Sequence, residues 1–391
     1  MAAASSSSSS LFYLFVLSFL SALIISKSQI SDSLNGLVFP VFKDLPTGQY
    51  VAQIRLGNSH QPVKLVVDLA GSILWFDCSS GHGSSSSRSL ISGSSSGCLK
   101  AKAGNGKVSS SSSSRGDAKD CELLVKNGAV GITARGELFS DVMSFGSVTS
   151  PGTVDLLFAC APPWLLRGLA SGARGVMGLG RAQISLPSQL AAVTNDRRRL
   201  TIYLSPLDGV VSTSSVEEVF GVDASRSLVY TPLLTGSSGD YVINVKSIRV
   251  NGEKLSVDGP LAAELSTVVP YTMLESSIYT VFVEAYAKAA TEATPVAPVA
   301  PFGLCFKSEV ELPAVDLALQ SEMVRWRIQG KNLMVDVGGG VRCLGILDGG
   351  SIRVNPIVMG GLQLEGLILD FDLGNSMMGF GQRTHSDTAS L

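Results

Sequence analysis

The sequence is poor in the residues that bind metals. It contains only three histidines, His60, His82 and His385, and its six cysteines include no Cys-x-x-Cys pair. A zinc site needs a cluster of such ligands, so the sequence predicts no metal, and we expect no other cofactor. An excess of one charge is also lacking, because 30 Lys and Arg face 32 Asp and Glu. Since no single-sign field results, nucleic acid is not an expected partner.

Long apolar runs are absent except near the N-terminus. Residues 11–25 form one run, which is shorter than the roughly 20 residues of a membrane-spanning helix. Its length fits the hydrophobic region of a secretory signal, and the small residues Ser26 and Ser28 follow it. Residues 1–10 lack the Lys or Arg common in such signals. We interpret residues 1–28 as a signal peptide and expect a secreted, extracellular protein with no membrane contact after cleavage.

The six cysteines all lie after this segment. An even number of cysteines in a secreted chain indicates up to three disulfides. Six cysteines allow fifteen pairings, and their spacing alone does not choose among them. The disulfide candidates are Cys78, Cys98, Cys121, Cys160, Cys305 and Cys343.

The 391 residues suit two domains, and 45% of them are apolar, as in globular proteins. Short alternating runs bounded by turn residues predict mostly β structure. Asn251 and Gly252 indicate a hairpin turn. Apolar residues at helical spacing predict one clear helix over 276–291 and a short one over 186–193.

Residues 79–114 are rich in serine and are expected to form a surface insertion without structure of its own. Cys98 and Cys121 could anchor it. The segment contains Gly-Ser-Ser-Ser-Gly at 93–97, which formally matches the nucleophile elbow of serine hydrolases. That motif needs a strand before it and a helix after it. The sequence predicts neither here, so a catalytic serine is not expected.

A single carboxylate, Asp68, follows a compact apolar run, and Trp75 comes seven residues later. Taken alone, this pattern indicates only a turn between two strands. Other blocks occur with it in a fixed order. They are Thr-Gly-Gln-Tyr at 47–50, Arg-Gly-Val-Met-Gly-Leu-Gly-Arg at 174–181, Ser-Leu-Pro-Ser-Gln-Leu at 185–190, Pro-Ile-Val-Met-Gly-Gly at 356–361, Leu-Asp-Phe-Asp at 369–372 and Met-Gly-Phe at 378–380.

Together these blocks resemble the pepsin-like aspartic proteases of plants, over nearly all of the secreted part. The resemblance implies a mostly-β, bilobal fold with two β-barrel-like lobes around a cleft. We expect an N-terminal lobe at 29–200 and a C-terminal lobe at 201–391. The family keeps a disulfide in the C-terminal lobe where Cys305 and Cys343 stand.

The second catalytic aspartate of such enzymes is missing. Two carboxylates about 3 Å apart must share one proton, so that one acts as base and the other as acid. The family pattern places the second Asp thirteen residues before a Tyr that opens a helix. Here that Tyr is Tyr279, and thirteen residues earlier stands Ser266, with Glu264 out of register. Asp68 is then a remnant of the first aspartate, and we predict an inactive homologue, although its fold would class it as an aspartic endopeptidase.

The surroundings of the first aspartate also depart from the family. Leu69 replaces the Thr whose hydroxyl braces the two loops, and Ala70 replaces a Gly. The segment 124–128, at the expected position of the flap hairpin, lacks the usual Tyr. Losing one member of a catalytic unit typically lowers the rate about 10⁴–10⁶-fold.

The altered loops at 68–71 and 266–271 resemble the plant inhibitor branch of this family, which includes xylanase inhibitors, xyloglucan-endoglucanase inhibitors, extracellular dermal glycoproteins and basic 7S globulins. The resemblance implies a monomeric cell-wall protein of plant defence that binds a microbial glycoside hydrolase. His385 lies where wheat-type inhibitors carry their inhibitory His. Two alternatives stay open: a weak aspartic protease that recruits another carboxylate, and a peptide-binding or storage globulin.

Overall fold

The computed structural model describes residues 37–58, 61–79, 85–104, 120–147, 150–194, 197–234, 239–307, 311–351 and 354–383. Strands dominate these ranges. The strands are β1 Val38–Asp44, β2 Gln49–Leu56, β3 Gln61–Asp68, β4 Trp75–Asp77, β5 Ser89–Leu90, β6 Glu122–Asn127, β7 Ile132–Ser147, β8 Ser150–Ala161, β9 Gly175–Gly178, β10 Arg199–Tyr203, β11 Gly209–Ser212, β12 Val229–Pro232, β13 Val242–Val245, β14 Ser247–Val250, β15 Glu253–Lys254, β16 Leu261–Leu265, β17 Thr272–Leu274, β18 Thr294–Val296, β19 Cys305–Lys307, β20 Val315–Ala318, β21 Arg325–Ile328, β22 Met334–Gly338, β23 Val341–Leu344, β24 Ile346–Asp348, β25 Ile357–Met359, β26 Leu367–Asp372 and β27 Met377–Gln382.

Helices are few and short. The α-helices are α1 Ser96–Gly104, α2 Leu186–Thr194, α3 Val216–Phe220, α4 Val222–Ser227, α5 Ser276–Ala289 and α6 Gly361–Leu364, and the 3₁₀ helices are η1 Pro163–Leu166 and η2 Gly330–Asn332. The two predicted helices correspond to α5 and α2. Asn251 and Gly252 both adopt positive φ and join β14 to β15, which confirms the predicted hairpin. No helix within the described ranges is both long and apolar enough to cross a bilayer.

One large sheet joins the two halves of the chain. Its strand order is β12-β27-β26-β10-β11-β1-β2-β3-β9-β4-β8-β7-β5, and β6 pairs with β7 beside this path. The last strands, β26 and β27, thus return to strands from the first half. Three smaller sheets follow, in the orders β13-β16-β25-β17-β24, β15-β14-β20-β21 and β18-β19-β23-β22. The mostly-β, two-lobed prediction is confirmed.

The same three-stranded arrangement occurs once in each half. β9 pairs parallel to β3 and antiparallel to β4. In the second half, β25 pairs parallel to β16 and antiparallel to β17. The loop between the two outer strands therefore begins at the carboxyl end of β3 in one half and of β16 in the other. These two loops carry the candidate site.

Part of the serine-rich segment is ordered, contrary to expectation. β5 pairs with β7, and α1 begins at Ser96, where the sequence predicted no helix. The Ser95 hydroxyl accepts a hydrogen bond from the Cys98 N–H at 3.1 Å, as a capping residue does. Cys98 is fully buried, so α1 packs against the core through this residue. Periodicity could not reveal α1, because its sequence is not amphipathic.

Three disulfides join Cys78 to Cys160, Cys98 to Cys121 and Cys305 to Cys343. All six candidates are therefore used. Cys98–Cys121 closes the serine-rich segment, as expected, and Cys305–Cys343 is the bridge that the family resemblance implied. The lobe boundary at 200/201 falls inside β10, a strand of the joining sheet, and stays a prediction.

Glu365 links the two halves of the chain. Its carboxylate forms an ion pair with Lys43 of β1 and accepts a hydrogen bond from the Tyr50 hydroxyl of β2. Tyr50 is fully buried, and burial, together with the Glu365 charge, raises the pKa of its phenol far above the usual value. One carboxylate therefore satisfies a cation and a buried hydroxyl from the opposite half.

We predict that Glu365→Ala lowers the free energy of unfolding by about 2–4 kcal/mol, because it leaves a buried hydroxyl and a half-buried cation without partners. Tyr50→Phe removes the hydroxyl together with its hydrogen bond and should cost only about 1 kcal/mol. Urea unfolding of both variants measures this difference. Equal losses would contradict the assigned role of Glu365.

Candidate functional site

Asp68 ends β3 and is almost completely buried, with 2% of its surface exposed. Its Oδ1 accepts a hydrogen bond from the Ala70 N–H at 2.9 Å. Its backbone carbonyl accepts hydrogen bonds from Gly71 and Leu179. Burial raises the pKa of the Asp68 carboxyl to about 6, and the nearby charge of Asp240 adds to this, whereas Lys126 and the Ala70 hydrogen bond oppose it. Removal from water disfavours the charged carboxylate, which is the main cause.

Strand register relates Asp68 to a residue of the second half. In the first half, Leu65 of β3 and Phe76 of β4 both pair with Gly175 of β9 and are eleven positions apart. In the second half, Ala263 of β16 and Leu274 of β17 both pair with Ile357 of β25 and are also eleven positions apart. Three positions beyond Leu65 and Ala263 stand Asp68 and Ser266. Ser266 is also buried, and its N–H donates to the Met359 carbonyl at 2.9 Å.

Thr267 holds the two loops together. Its hydroxyl donates to the Val67 carbonyl at 2.6 Å and accepts a hydrogen bond from the Leu69 N–H at 3.2 Å. Leu69 occupies the matching position in the first loop and has no hydroxyl to return these bonds. We expected Leu69 to remove the hydrogen bonds that join the two loops. This is only half correct, because the bonds from the first loop are lost but those made by Thr267 of the second loop remain.

The β6–β7 hairpin covers the Asp68 carboxylate. A Cβ placed on Gly128, in the hairpin turn, would lie 3.2 Å from Asp68 Oδ2 and 3.1 Å from Val268 Cγ2. Gly128 of the first half thus lies against the carboxylate and beside Val268 of the second half. This packing contributes to the burial of Asp68. A substrate peptide could reach this carboxylate only if the hairpin moved.

Polar contacts hold the hairpin in this closed position. The Trp75 indole N–H donates to the Lys126 carbonyl at 3.2 Å. The buried Asn127 amide donates to the carbonyls of Leu165 and Arg167 at 2.8 and 2.9 Å. Both contacts are made by the last two residues of β6, directly before the turn, and they restrict the opening of the hairpin.

No second carboxyl group within the described ranges hydrogen-bonds to Asp68. Glu264 instead accepts a hydrogen bond from the Asn355 amide at 3.0 Å. Asp240 acts on Asp68 only through its charge. The same ranges contain no group of three or more His, Cys, Asp or Glu that could hold a metal ion.

Two family models match this chain. One, described as Xylanase inhibitor N-terminal, matches residues 50–216, and the other, Xylanase inhibitor C-terminal, matches residues 240–382. A curated relative from Nicotiana benthamiana, named a probable aspartic proteinase GIP2, is 38% identical over 398 residues, which cover 91% of this chain and 90% of the relative. The chain belongs to the xylanase inhibitor family.

Other members of the xylanase inhibitor family carry different names. Gamma conglutin 1 of Prunus dulcis is 36% identical over 88% of this chain and 86% of its own. The crystal structure of edgp matches with a TM-score of 0.79 at 34% identity, covering 90% of this chain and 97% of that one. An aspartic proteinase from Irpex lacteus matches with a TM-score of 0.65 at 16% identity, covering 90% of this chain and all of that one, which shows the pepsin-like fold alone.

Several features of the site were not predicted from the sequence. Thr267 could have been found, because a hydroxyl residue follows the second catalytic position in the family pattern. The approach of Gly128 and Val268 to Asp68 gives no signal in the sequence, because it depends on how distant segments pack. His385, the predicted inhibitory contact, lies outside the described residues, as does the predicted signal peptide.

The raised pKa of the Asp68 carboxyl predicts that this group lowers the free energy of unfolding by an amount that depends on pH. The folded state holds the proton up to about pH 6, whereas the unfolded chain releases it near pH 3.8, so Asp68 makes stability fall as pH rises between these values. Asp68→Asn removes this dependence. Its stability relative to wild type should rise by roughly 3 kcal/mol from pH 3.5 to pH 7.

Urea unfolding at the two pH values measures this change. Asp258→Asn, which alters an exposed carboxylate, serves as the control and should show no comparable rise. A pH-independent effect of Asp68→Asn would indicate that the carboxylate is solvated in the folded protein.

Proposed function

We propose that this protein is a secreted, catalytically inactive aspartic protease homologue that inhibits microbial glycoside hydrolases, such as a xylanase or a xyloglucan endoglucanase, in the plant cell wall. One observation carries the loss of catalysis. Asp68 is a single buried carboxylate beneath Gly128 and Val268, and Ser266 stands at the matching position of the second loop.

Peptide hydrolysis by this fold needs a water molecule between two carboxylates that share a proton. We infer that Ser266 replaces the second aspartate, because strand register aligns it with Asp68. A serine hydroxyl does not ionise in the relevant pH range and cannot share a proton with Asp68 in this way. Asp68 would then have no partner to make it the base of an acid–base pair.

The inhibitor part of the proposal rests on the family, whose models are described by xylanase inhibition. Glycoside hydrolases place two carboxylates on either side of the bond that they cleave. A cationic or hydrogen-bond donor side chain from an inhibitor can bind such a pair by charge-assisted hydrogen bonds. We propose His385 as one such donor. The protein needs no cofactor for this role and would act as a monomer.

Secretion is supported by the disulfides. Bridges form and persist in oxidising compartments, and in this structure all six cysteines are paired. The apolar run at 11–25 supplies the expected signal. The relatives named conglutin and basic 7S globulin keep the storage alternative open, and the relative named a probable aspartic proteinase keeps weak proteolysis open.

Restoring the second carboxylate should not restore proteolysis. In Ser266→Asp, Gly128 and Val268 still cover Asp68, so we predict no casein cleavage at acid pH. Two carboxylates in a dry site repel each other, and stability at pH 7 should fall by about 3 kcal/mol. Ser266→Asn is the matched uncharged control and should lose less. Casein cleavage by Ser266→Asp would show that the closed hairpin is no barrier to substrate.

The proposal predicts that the purified protein inhibits at least one member of a panel of fungal xylanases and xyloglucan endoglucanases and does not digest casein at acid pH. If His385 contacts the hydrolase carboxylates, His385→Ala should weaken inhibition at least tenfold, because a charge-assisted hydrogen bond is lost. Inhibition retained in His385→Ala would move the contact to other loops. Casein digestion without inhibition would overturn the proposal. If the protein shows neither inhibition nor digestion, the storage alternative is favoured.

A further inference from the structure

An exposed tryptophan lies on η1, and an exposed arginine caps the C-terminal end of this helix. Trp164 has 56% of its surface exposed although it is the largest type of apolar side chain. Arg167 follows three residues later at the C-terminal end of η1 and is also exposed. Side chains three residues apart eclipse each other in a 3₁₀ helix. Trp164 and Arg167 therefore share one face.

This face is held rigidly. Pro162 and Pro163 restrict the backbone at the start of η1, and the fully buried Leu165 anchors its inner side. The carbonyls of Leu165 and Arg167 both accept hydrogen bonds from the Asn127 amide. The exposed pair is thus fixed to the hairpin that covers Asp68.

The tip of the hairpin extends the same surface. Gly168 adopts φ +76°, and a Cβ placed on it would lie 2.6 Å from Val130 Cγ1, so the end of η1 touches the hairpin turn directly. Val130 is itself exposed. We name the three exposed side chains Val130, Trp164 and Arg167 the Trp164 platform.

The platform is positively charged. Arg167 forms no ion pair with a carboxylate in the part of the chain that the structure describes. The nearest acidic residue of β6, Glu122, lies at the opposite end of that strand and pairs with Arg135 at 3.4 Å. An uncompensated guanidinium beside an exposed indole suits a partner that offers a carboxylate next to an apolar or aromatic surface.

We propose that the Trp164 platform is a docking surface for the carboxylate-bearing substrate cleft of a glycoside hydrolase. This inference rests on the proposed function and adds a contact on the N-terminal half of the chain. The catalytic carboxylate pair of the hydrolase supplies the charge that Arg167 lacks. Tryptophan and arginine are also the residue types that most often dominate binding energy at protein interfaces. Because the face is already ordered, binding need not order it.

The test uses the full secreted protein and a hydrolase that it inhibits, with affinity measured by titration calorimetry. Trp164→Ala and Arg167→Glu should each weaken binding at least 20-fold. The controls Met323→Ala and Arg226→Glu change an exposed apolar and an exposed basic side chain elsewhere and should change affinity less than threefold. Unchanged thermal midpoints would show that all four variants fold. Against a hydrolase with one catalytic carboxylate changed to its amide, the penalty of Arg167→Glu should shrink.

The outcomes separate this inference from the proposed function. If wild type binds a hydrolase and both platform variants bind it equally well, the docking surface is wrong and the proposed function stands. If wild type binds no hydrolase of the panel, both the docking surface and the proposed function are wrong. If the free protein instead binds a xylan or xyloglucan oligosaccharide and Trp164→Ala abolishes this, the platform recognises carbohydrate, which contradicts the assigned occupant.

Discussion

The packing of Gly128 against both the Asp68 carboxylate and Val268 is the constraint on which the site depends. It comes from two segments that are far apart in sequence and meet only because the two halves pack together. It removes Asp68 from water, which raises the pKa of the carboxyl to about 6. The bonds from Trp75 and Asn127 keep the hairpin in place, so burial of Asp68 and closure of the hairpin are one feature of the packing.

The framework beneath this site is that of an active pepsin-like fold. The two matched three-stranded units still present their loops to each other, and Thr267 still joins them. In the proposed function, only the functional side chains have changed, so that fold and function separate, as they do in other widely used folds. The platform on η1 is a feature outside the old site, which agrees with a protein that binds a partner through its surface.

Much of the fold could be predicted from the sequence, because its signals are local or belong to the family pattern. The helix at Ser276–Ala289 follows from apolar periodicity, and Ser266 follows from its distance to Tyr279. The helix at Ser96–Gly104 could not be predicted, since it is stabilised by the buried Cys98 and its disulfide and not by an amphipathic pattern. Closure over Asp68 and the exposure of Trp164 depend on tertiary packing, which local patterns do not encode.

The most direct test of this account is the titration of the Asp68 carboxyl carbon by NMR in protein labelled with ¹³C at aspartate, assigned with Asp68→Asn. The account predicts one transition near pH 6, which is the behaviour of a single buried carboxyl group. Two coupled transitions would reveal a second carboxyl group that shares its proton. Such a result, or one transition near the ordinary value of about 3.9, would contradict the closed, unpaired site.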